Sequence, residues 1–492
     1  MLLLGIDIGT SSIKVSVVDA HTQKAVASAS YPDTEATIIS HQKGWAEQAP
    51  QSWWDYFKKA LEKASSKNNF NPKDIAAIGI AYQMHGLVAV DKDQQVLRNS
   101  IIWCDSRAVP YGDAAFHAIG EKKCLAHLLN SPGNFTAAKL AWVKEHEPAI
   151  FEKIYKIMLP GDYLAMMLTG NITTSASSLS EGILWDFKER AVSGDVLNFF
   201  GFDSSVIPAI SDVFTAHGYL SEPVAGQLHL KAGIPVSYKA GDQPNNALSL
   251  NVFHPGEVAA TAGTSGVIYG ISDQLTCDQQ SRVNSFAHVN HTNEQTRIGV
   301  LLCINGTGIL NSWIKKNTAS TESYNDLNNA ASKIAAGSDG LYILPFGNGA
   351  ERMLNNKMVG AHMHNIDLNK HSAAHIYRAG QEGIAFAFRY GLDIMRENNM
   401  QPSIIRAGRA NMFLSNVFSN AFVNATNTAV QLYNSDGSVG AALGAGIGAN
   451  IYNSEKEAFA GMECLQTIEP TEATLYNDLY NEWKILLDQA LK

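Results

Sequence analysis

Leu2-Leu3-Leu4-Gly5-Ile6-Asp7-Ile8-Gly9-Thr10-Ser11-Ser12 begins as a short apolar strand over residues 2–7 and runs into a turn of glycine and hydroxyl residues. After that turn, Ile13–Asp19 alternates and then runs apolar, and Ala25–Tyr31 follows His21-Thr22-Gln23-Lys24. Three short strands joined by polar turns predict an antiparallel meander. Pro50 then opens a helix in which Trp54, Phe57, Leu61 and Ala64 recur at helical spacing. Ile75–Tyr82 is a further apolar strand that ends in Gln83-Met84-His85-Gly86. Strands followed by helices in this order predict a mixed sheet covered by helices, an α/β architecture.

The opening pattern returns about 250 residues later, near the midpoint of the 492-residue chain. Glu257–Ala262 is strand-like, Gly263-Thr264-Ser265-Gly266 makes a tight turn, and residues 267–271 run back as a strand. Each half therefore opens strand, Gly-Thr-Ser, strand, which suggests an internal duplication. We divide the chain into domains 1–246 and 247–492. With no Gly/Ser linker at the boundary, the halves are expected to share a substantial interface. Further on, a long helix is expected over residues 371–398, a strand over 403–407 and a helix over 412–423. Residues 438–449, rich in Gly and Ala, fit a helix packed closely against a neighbour, because each interior glycine costs about 1 kcal/mol.

Asp7 leaves the first strand just ahead of Gly9-Thr10-Ser11. Such a turn lets backbone N–H groups approach phosphate oxygens, while a carboxylate at the strand end can hold a metal directly or through water. One such turn alone is as well read as a hairpin. A second turn of the same chemistry, residues 263–266, points instead to a pair of loops gripping a nucleotide's polyphosphate. Asp242 follows the strand expected over 234–239, and Pro244 suits the first turn of a helix. Its carboxylate reads either as a helix cap or as a general base aimed from the strand end, where a helix N-terminus favours the ionised form. Gln83 and His85 can hydrogen-bond hydroxyls, whereas Asp105 and Arg107 read as a structural ion pair. His362, His364, His371 and His375 lack the accompanying ligands of a zinc site and read as solvated side chains.

Composition narrows the partners. Hydrophobic residues make up 46% and charged residues 17%, enough to build a sizeable core, and the net charge of −9 comes without a basic block. Neither nucleic acid nor an anionic membrane is an expected partner. Five separated cysteines give no disulfide framework or CxxC metal site. The apolar start meets Asp7 without a basic flank, which predicts no signal peptide and a cytoplasmic protein.

Taken together, residues 6–11, 83–86, 103–107, 241–242 and 263–266 resemble the FGGY carbohydrate kinases, in that family's order and spacing from residue 4 to about residue 450. The resemblance implies two ribonuclease H-like, actin-like ATPase domains with a catalytic cleft between them. It also implies ATP and Mg2+ as cofactors, with a small sugar as the phosphoryl acceptor. Within the family the motifs are most similar to those of members that phosphorylate D-xylulose at its 5-hydroxyl. Members acting on sedoheptulose, ribulose or gluconate stay open as alternatives, and so does a homodimer. Carried over motif by motif, Asp242 is the expected catalytic base. Gln83, Met84, His85 and Trp103 are expected at the sugar with Gln243 beside the base, and Asp7 supports magnesium through water. Thr10, Ser11, Gly263, Thr264 and Ser265 are expected around the phosphates, with Gly408 and Asn411 at the adenosine. Ala407 stands where the family's first adenosine-motif glycine would be, and Gln243-Pro244 where many members have Asn-Ala. Gly349-Ala350-Glu351-Arg352-Met353 replaces the usual Gly-Glu-Arg-Thr-Pro loop and is assigned no role.

Overall fold

The computed structural model describes residues 1–66 and 69–492. Leu2–Ile8, Ile13–Asp19 and Ala25–Tyr31 form the expected meander, with Leu2 paired to Asp19 and Ile8 to Ile13. Ile75–Tyr82 adds in parallel to Leu2–Ile8, and Pro235–Gly241 adds in parallel to Ile75–Tyr82. A short antiparallel edge, Gly218–Tyr219, completes six strands. The inner strands are buried on both faces, which explains their continuous apolar runs.

The second half builds the same sheet again. Glu257–Ala262 pairs antiparallel with Gly266–Ser272, which pairs antiparallel with Ile298–Ile304. On its other side Glu257–Ala262 runs parallel to Ile404–Gly408, and that strand parallel to Val430–Tyr433. Asn284–Ala287 and Cys464–Ile468 extend the two edges to seven strands. The antiparallel-then-parallel order of the first sheet is thus repeated, and each Gly-Thr-Ser turn joins the first two strands of its sheet.

Helices cover the sheets. Pro50–Ser65 packs on the meander and buries Trp53, Trp54, Phe57 and Leu61, each contributing about 1.5–3 kcal/mol. Pro160–Thr169 lies against Ile75–Tyr82 and Pro235–Gly241, and Ala373–Glu397 runs along the second sheet. Gly437–Gly448 comes from the second half yet packs on the first sheet, against Leu2–Ile8 and Ile75–Tyr82. Its contact is backbone to backbone: a Cβ at Gly5 would lie 1.7 Å from the Ser438 carbonyl oxygen, and one at Gly79 1.9 Å from that of Ala441. The helix expected over 412–423 is instead a 3-10 turn, Asn411–Leu414, followed by Asn416–Thr426. Ser415 caps the second helix through its hydroxyl and so breaks the run.

Candidate active site

Asp7 lies near the end of its strand, and the turn beyond it closes by a Gly9 N–H to Ser12 C=O bond of 3.1 Å. Asp242 begins the helix Asp242–Ser249 at the end of Pro235–Gly241. Gly241 occupies the cap position, so Asp242 is the first helical residue. Burial pushes Asp242 up to about 7, the charge of Asp7 adds to this, and the amides of Gln243 oppose it. Burial likewise pushes Asp7 up to about 6, with Asp436 adding and Lys14 opposing. Asp436 caps Gly437–Gly448 by accepting from the Ser438 N–H at 2.9 Å and pairs with Lys14. Asn245 donates to the Gly437 carbonyl at 2.9 Å, tying the helix after Asp242 to the helix after Asp436. A Cβ at Gly437 would sit 2.4 Å from Asp7 Oδ2, so only glycine leaves that carboxyl in place.

The first turn is braced from behind. Trp103, 52% exposed, donates its indole N–H to Thr10 Oγ1 at 2.9 Å. Gln83, one of the residues expected at the sugar, lies next to this turn. It is only 2% exposed; its amide donates to Gln48 Oε1 at 2.9 Å and its oxygen accepts from Thr10 Oγ1 at 3.3 Å. Gln83 thus links the first turn to Gln48. Asp105 and Arg107 form the structural pair read from the sequence. Arg107 bridges Asp105 and Glu47 at 2.7 Å each and stacks on Trp45.

Met84 and His85 lie on the Asp242 side. A Cβ at Gly241 would come within 2.7 Å of Met84 Cγ. The His85 ring rests against Phe135 and, from the second half, Phe286, with centroids 4.7 and 5.4 Å away. Glu181, Lys139, Lys14 and Asp436 also belong to this neighbourhood and are absent from the sequence-based set. Among these only Asp436, just ahead of a glycine-rich helix, carried a readable cue as a helix cap.

In the second turn Thr264 and Ser265 are exposed. Their loop is held by Gly308 and Ile309, whose N–H groups donate to the Gly263 and Thr264 carbonyls at 2.9 and 3.1 Å. Gly263, Thr264 and Asn411 border one cavity of about 460 Å³. Tyr377, Asn311 and Gln381 contribute to its wall, a mix of aromatic and amide groups suited to a flat heteroaromatic base. Gly408 instead borders a neighbouring cavity of about 620 Å³ that also includes Asp436 and Arg409. Of the four histidines, His362 bonds the Val359 carbonyl and His375 bonds Ser372, and both His371 and His375 reach Asp339.

Residues 2–249 match the N-terminal domain model of the FGGY family of carbohydrate kinases, and residues 258–450 match its C-terminal domain model. The chain belongs to the FGGY family of carbohydrate kinases. The kinase is 31% identical over 401 residues to the xylulose kinase of Bacillus subtilis, covering 80% of this chain and 77% of that one. With the xylulose kinase of Escherichia coli the identity is 28% over 456 residues, covering 90% and 88%. The crystal structure of xylulose kinase from Rhodospirillum rubrum superposes with a TM-score of 0.89 at 25% identity, covering 99% of each chain. The paired sheets are thus the actin-like, ribonuclease H-like architecture, and the protein is an ATP-dependent phosphotransferase with an alcohol group as acceptor.

Proposed function

We propose that this kinase transfers the γ-phosphoryl group of ATP to the 5-hydroxyl of D-xylulose, giving D-xylulose 5-phosphate and ADP, in the cytoplasm. The reading is carried by the likeness to xylulose kinases along nearly the whole chain. Residues 1–246 supply the sugar side and the first phosphate turn, and residues 247–492 the second phosphate turn and the adenosine pocket.

Phosphoryl transfer passes through a loose transition state whose charge spreads over three oxygens, so the protein's task is positioning and charge neutralisation. Asp242 accepts the hydroxyl proton as the alcohol attacks in line. Its carboxyl, raised to about 7, is a stronger base than an ordinary aspartate and still ionises near neutral pH. Thr10 and Ser11 from one side, and Gly263, Thr264 and Ser265 from the other, present turn N–H and hydroxyl groups to the phosphates. Asn411 borders the adenosine and Gly408 lies beside it; Met84, His85, Trp103 and Gln243 surround the sugar.

Magnesium suits this site. Asp7 is enclosed by protein and raised by the nearby charge of Asp436, and it raises Asp242 in turn, so the place holds more negative charge than Lys14 balances. Hard oxygen donors of this kind hold magnesium with one or two carboxylates and several waters. Asp7 would hold it through water, and the ion would neutralise charge on the phosphate oxygens. The direct test is ADP release over a panel of D-xylulose, D-ribulose, sedoheptulose, gluconate and glycerol. D-xylulose raising turnover well above the others supports the reading, and another acceptor leading the panel overturns it.

A further inference from the structure

His85 has a left-handed backbone, φ 64°, a conformation that L-residues other than Asn, Asp and His rarely adopt. Its peptide groups are held at both ends. The His85 N–H donates to Glu181 Oε2 at 3.3 Å, while the His85 carbonyl accepts from Lys139 Nζ at 2.7 Å and from Thr136 Oγ1 at 3.3 Å. The ring is fixed as well: Nδ1 lies 2.9 Å from the Glu181 main-chain oxygen. A carbonyl oxygen only accepts, so Nδ1 carries the hydrogen and Nε2 is left as an acceptor. Burial pushes this imidazole down to about 3, so the ring is neutral at physiological pH.

Glu181 is itself anchored. Tyr82 donates its hydroxyl to Glu181 Oε1 at 2.8 Å and lies 2.8 Å from Ser178 Oγ. Glu181 is 1% exposed and Lys139 is fully buried. Among the described residues neither has a Lys, Arg, Asp or Glu partner at ion-pair distance. Burying an ionisable group without an opposite charge is costly, and both groups point at the same residue. Glu181 also reaches the strand that delivers the base, since a Cβ at Gly241 would lie 3.1 Å from its Oε1.

Building on the reading of His85 as a sugar contact, we propose that Glu181 and Lys139 clamp the His85 peptide. In this clamp Glu181 is the positioning residue that presents His85 Nε2 as an acceptor for a ketose hydroxyl. The acceptor hydroxyl at that point donates its hydrogen to the ring, and a ligand offering only an acceptor there is disfavoured.

Glu181→Gln and Lys139→Met, checked for folding by circular dichroism, are assayed for ketose-dependent ADP release. Each is expected to raise the KM for ketose roughly 10- to 100-fold, as for leaving a buried peptide group of His85 without its partner, with the KM for ATP nearly unchanged. In a His85→Asn background, where Asn tolerates the left-handed backbone but lacks the ring, Glu181→Gln is expected to change the ketose KM no further. Histidine 15N spectra of the sugar-free full chain are expected to show Nδ1–H alone at His85, in wild type and in Glu181→Gln alike, because the main-chain oxygen that sets the tautomer is retained. Thr136→Val removes the longer of the two bonds to the His85 carbonyl; should Glu181→Gln not fold, it is expected to raise the same KM severalfold. A folded Glu181→Gln with unchanged ketose KM, an equal loss in the His85→Asn background, or an Nε2–H tautomer at His85 in the wild-type protein overturns the clamp. Wild-type protein without ketose-dependent ADP release contradicts the substrate reading instead, and the histidine spectra then decide the clamp by themselves.

Discussion

At the scale of single residues, Asp242 leaves its strand as the first helical residue, with Gly241 at the cap position. A positioned base is worth about 10²- to 10⁴-fold. Asp242→Asn is therefore expected to lower kcat by that factor, about 3–5 kcal/mol of barrier, while thermal unfolding stays close to wild type. Near-normal turnover in a folded variant removes Asp242 from the base role. Gly437 makes a sharper case, because a single methyl group there would lie 2.4 Å from Asp7 Oδ2. Gly437→Ala is expected to displace Asp7, lowering kcat by roughly tenfold or more and raising the magnesium concentration needed for half-maximal rate. A magnesium titration that superposes on wild type contradicts the place given to Asp7. Asp242 and both phosphate turns were legible in the sequence because strand ends and Gly-Thr-Ser turns are local patterns. Glu181 was not: within Ser177-Ser178-Leu179-Ser180-Glu181 it reads as a polar helix end, and only tertiary packing buries it against Tyr82 and His85. Gln83 was legible as a hydrogen-bonding side chain, but its partner Gln48, 35 residues earlier, was not.

Among the elements, the helix Gly437–Gly448 shows what a glycine-rich composition is for. Its closeness to the first sheet requires Gly5 and Gly79 on the strands and Gly444 on the helix, while Gly440 lets it approach Ser249 of the helix Asp242–Ser249. The composition predicted close packing, but it carried no information that the partner lay more than 350 residues earlier. Gly79→Ala is expected to destabilise the fold by about 3 kcal/mol, because its Cβ meets backbone that cannot rotate away. Gly226 is the control: it lies in the helix Glu222–Leu228 with open space around its Cβ, and Gly226→Ala is expected to stabilise by about 0.5–1 kcal/mol. Urea unfolding of the two variants distinguishes them, and a neutral Gly79→Ala contradicts the backbone contact. Strands were the most readable elements because their apolar runs are bounded by turn residues. The break at Ser415 was hidden because apolar residues continue across it.

For the molecule as a whole, the halves are joined through buried polar groups as well as through helices: the Asn130 amide donates to the Ser285 carbonyl at 2.6 Å and accepts from the Ser285 N–H at 2.9 Å. His288, fully buried beyond the edge strand of the second sheet, lies 3.1 Å from both the Tyr269 hydroxyl and the Val252 carbonyl in the segment between the halves. Burial pushes its imidazole down to about 3. In the unfolded chain the ring takes up a proton near pH ~6.5, whereas the folded protein refuses it until about 3. Its contribution to stability is therefore present above pH ~6.5 and is lost as pH falls below it, by about 1.4 kcal/mol per pH unit. His288→Gln removes this proton linkage. The destabilisation of the variant relative to wild type is expected to narrow by about 1.4 kcal/mol between about pH 7.5 and about pH 5.5. A gap that stays constant in urea unfolding at the two pH values means that the ring is not held neutral.

On the proposed reading, the two Gly-Thr-Ser turns hold the phosphates and the Asp242 carboxyl takes the acceptor's proton. A crystal structure of the full chain with D-xylulose and a non-hydrolysable ATP analogue measures this most directly. The account predicts the sugar's 5-hydroxyl oxygen at about 2.6–3.2 Å from an Asp242 carboxyl oxygen, in line with the γ-phosphorus. A bound sugar whose hydroxyls all lie beyond hydrogen-bond reach of Asp242 would contradict it.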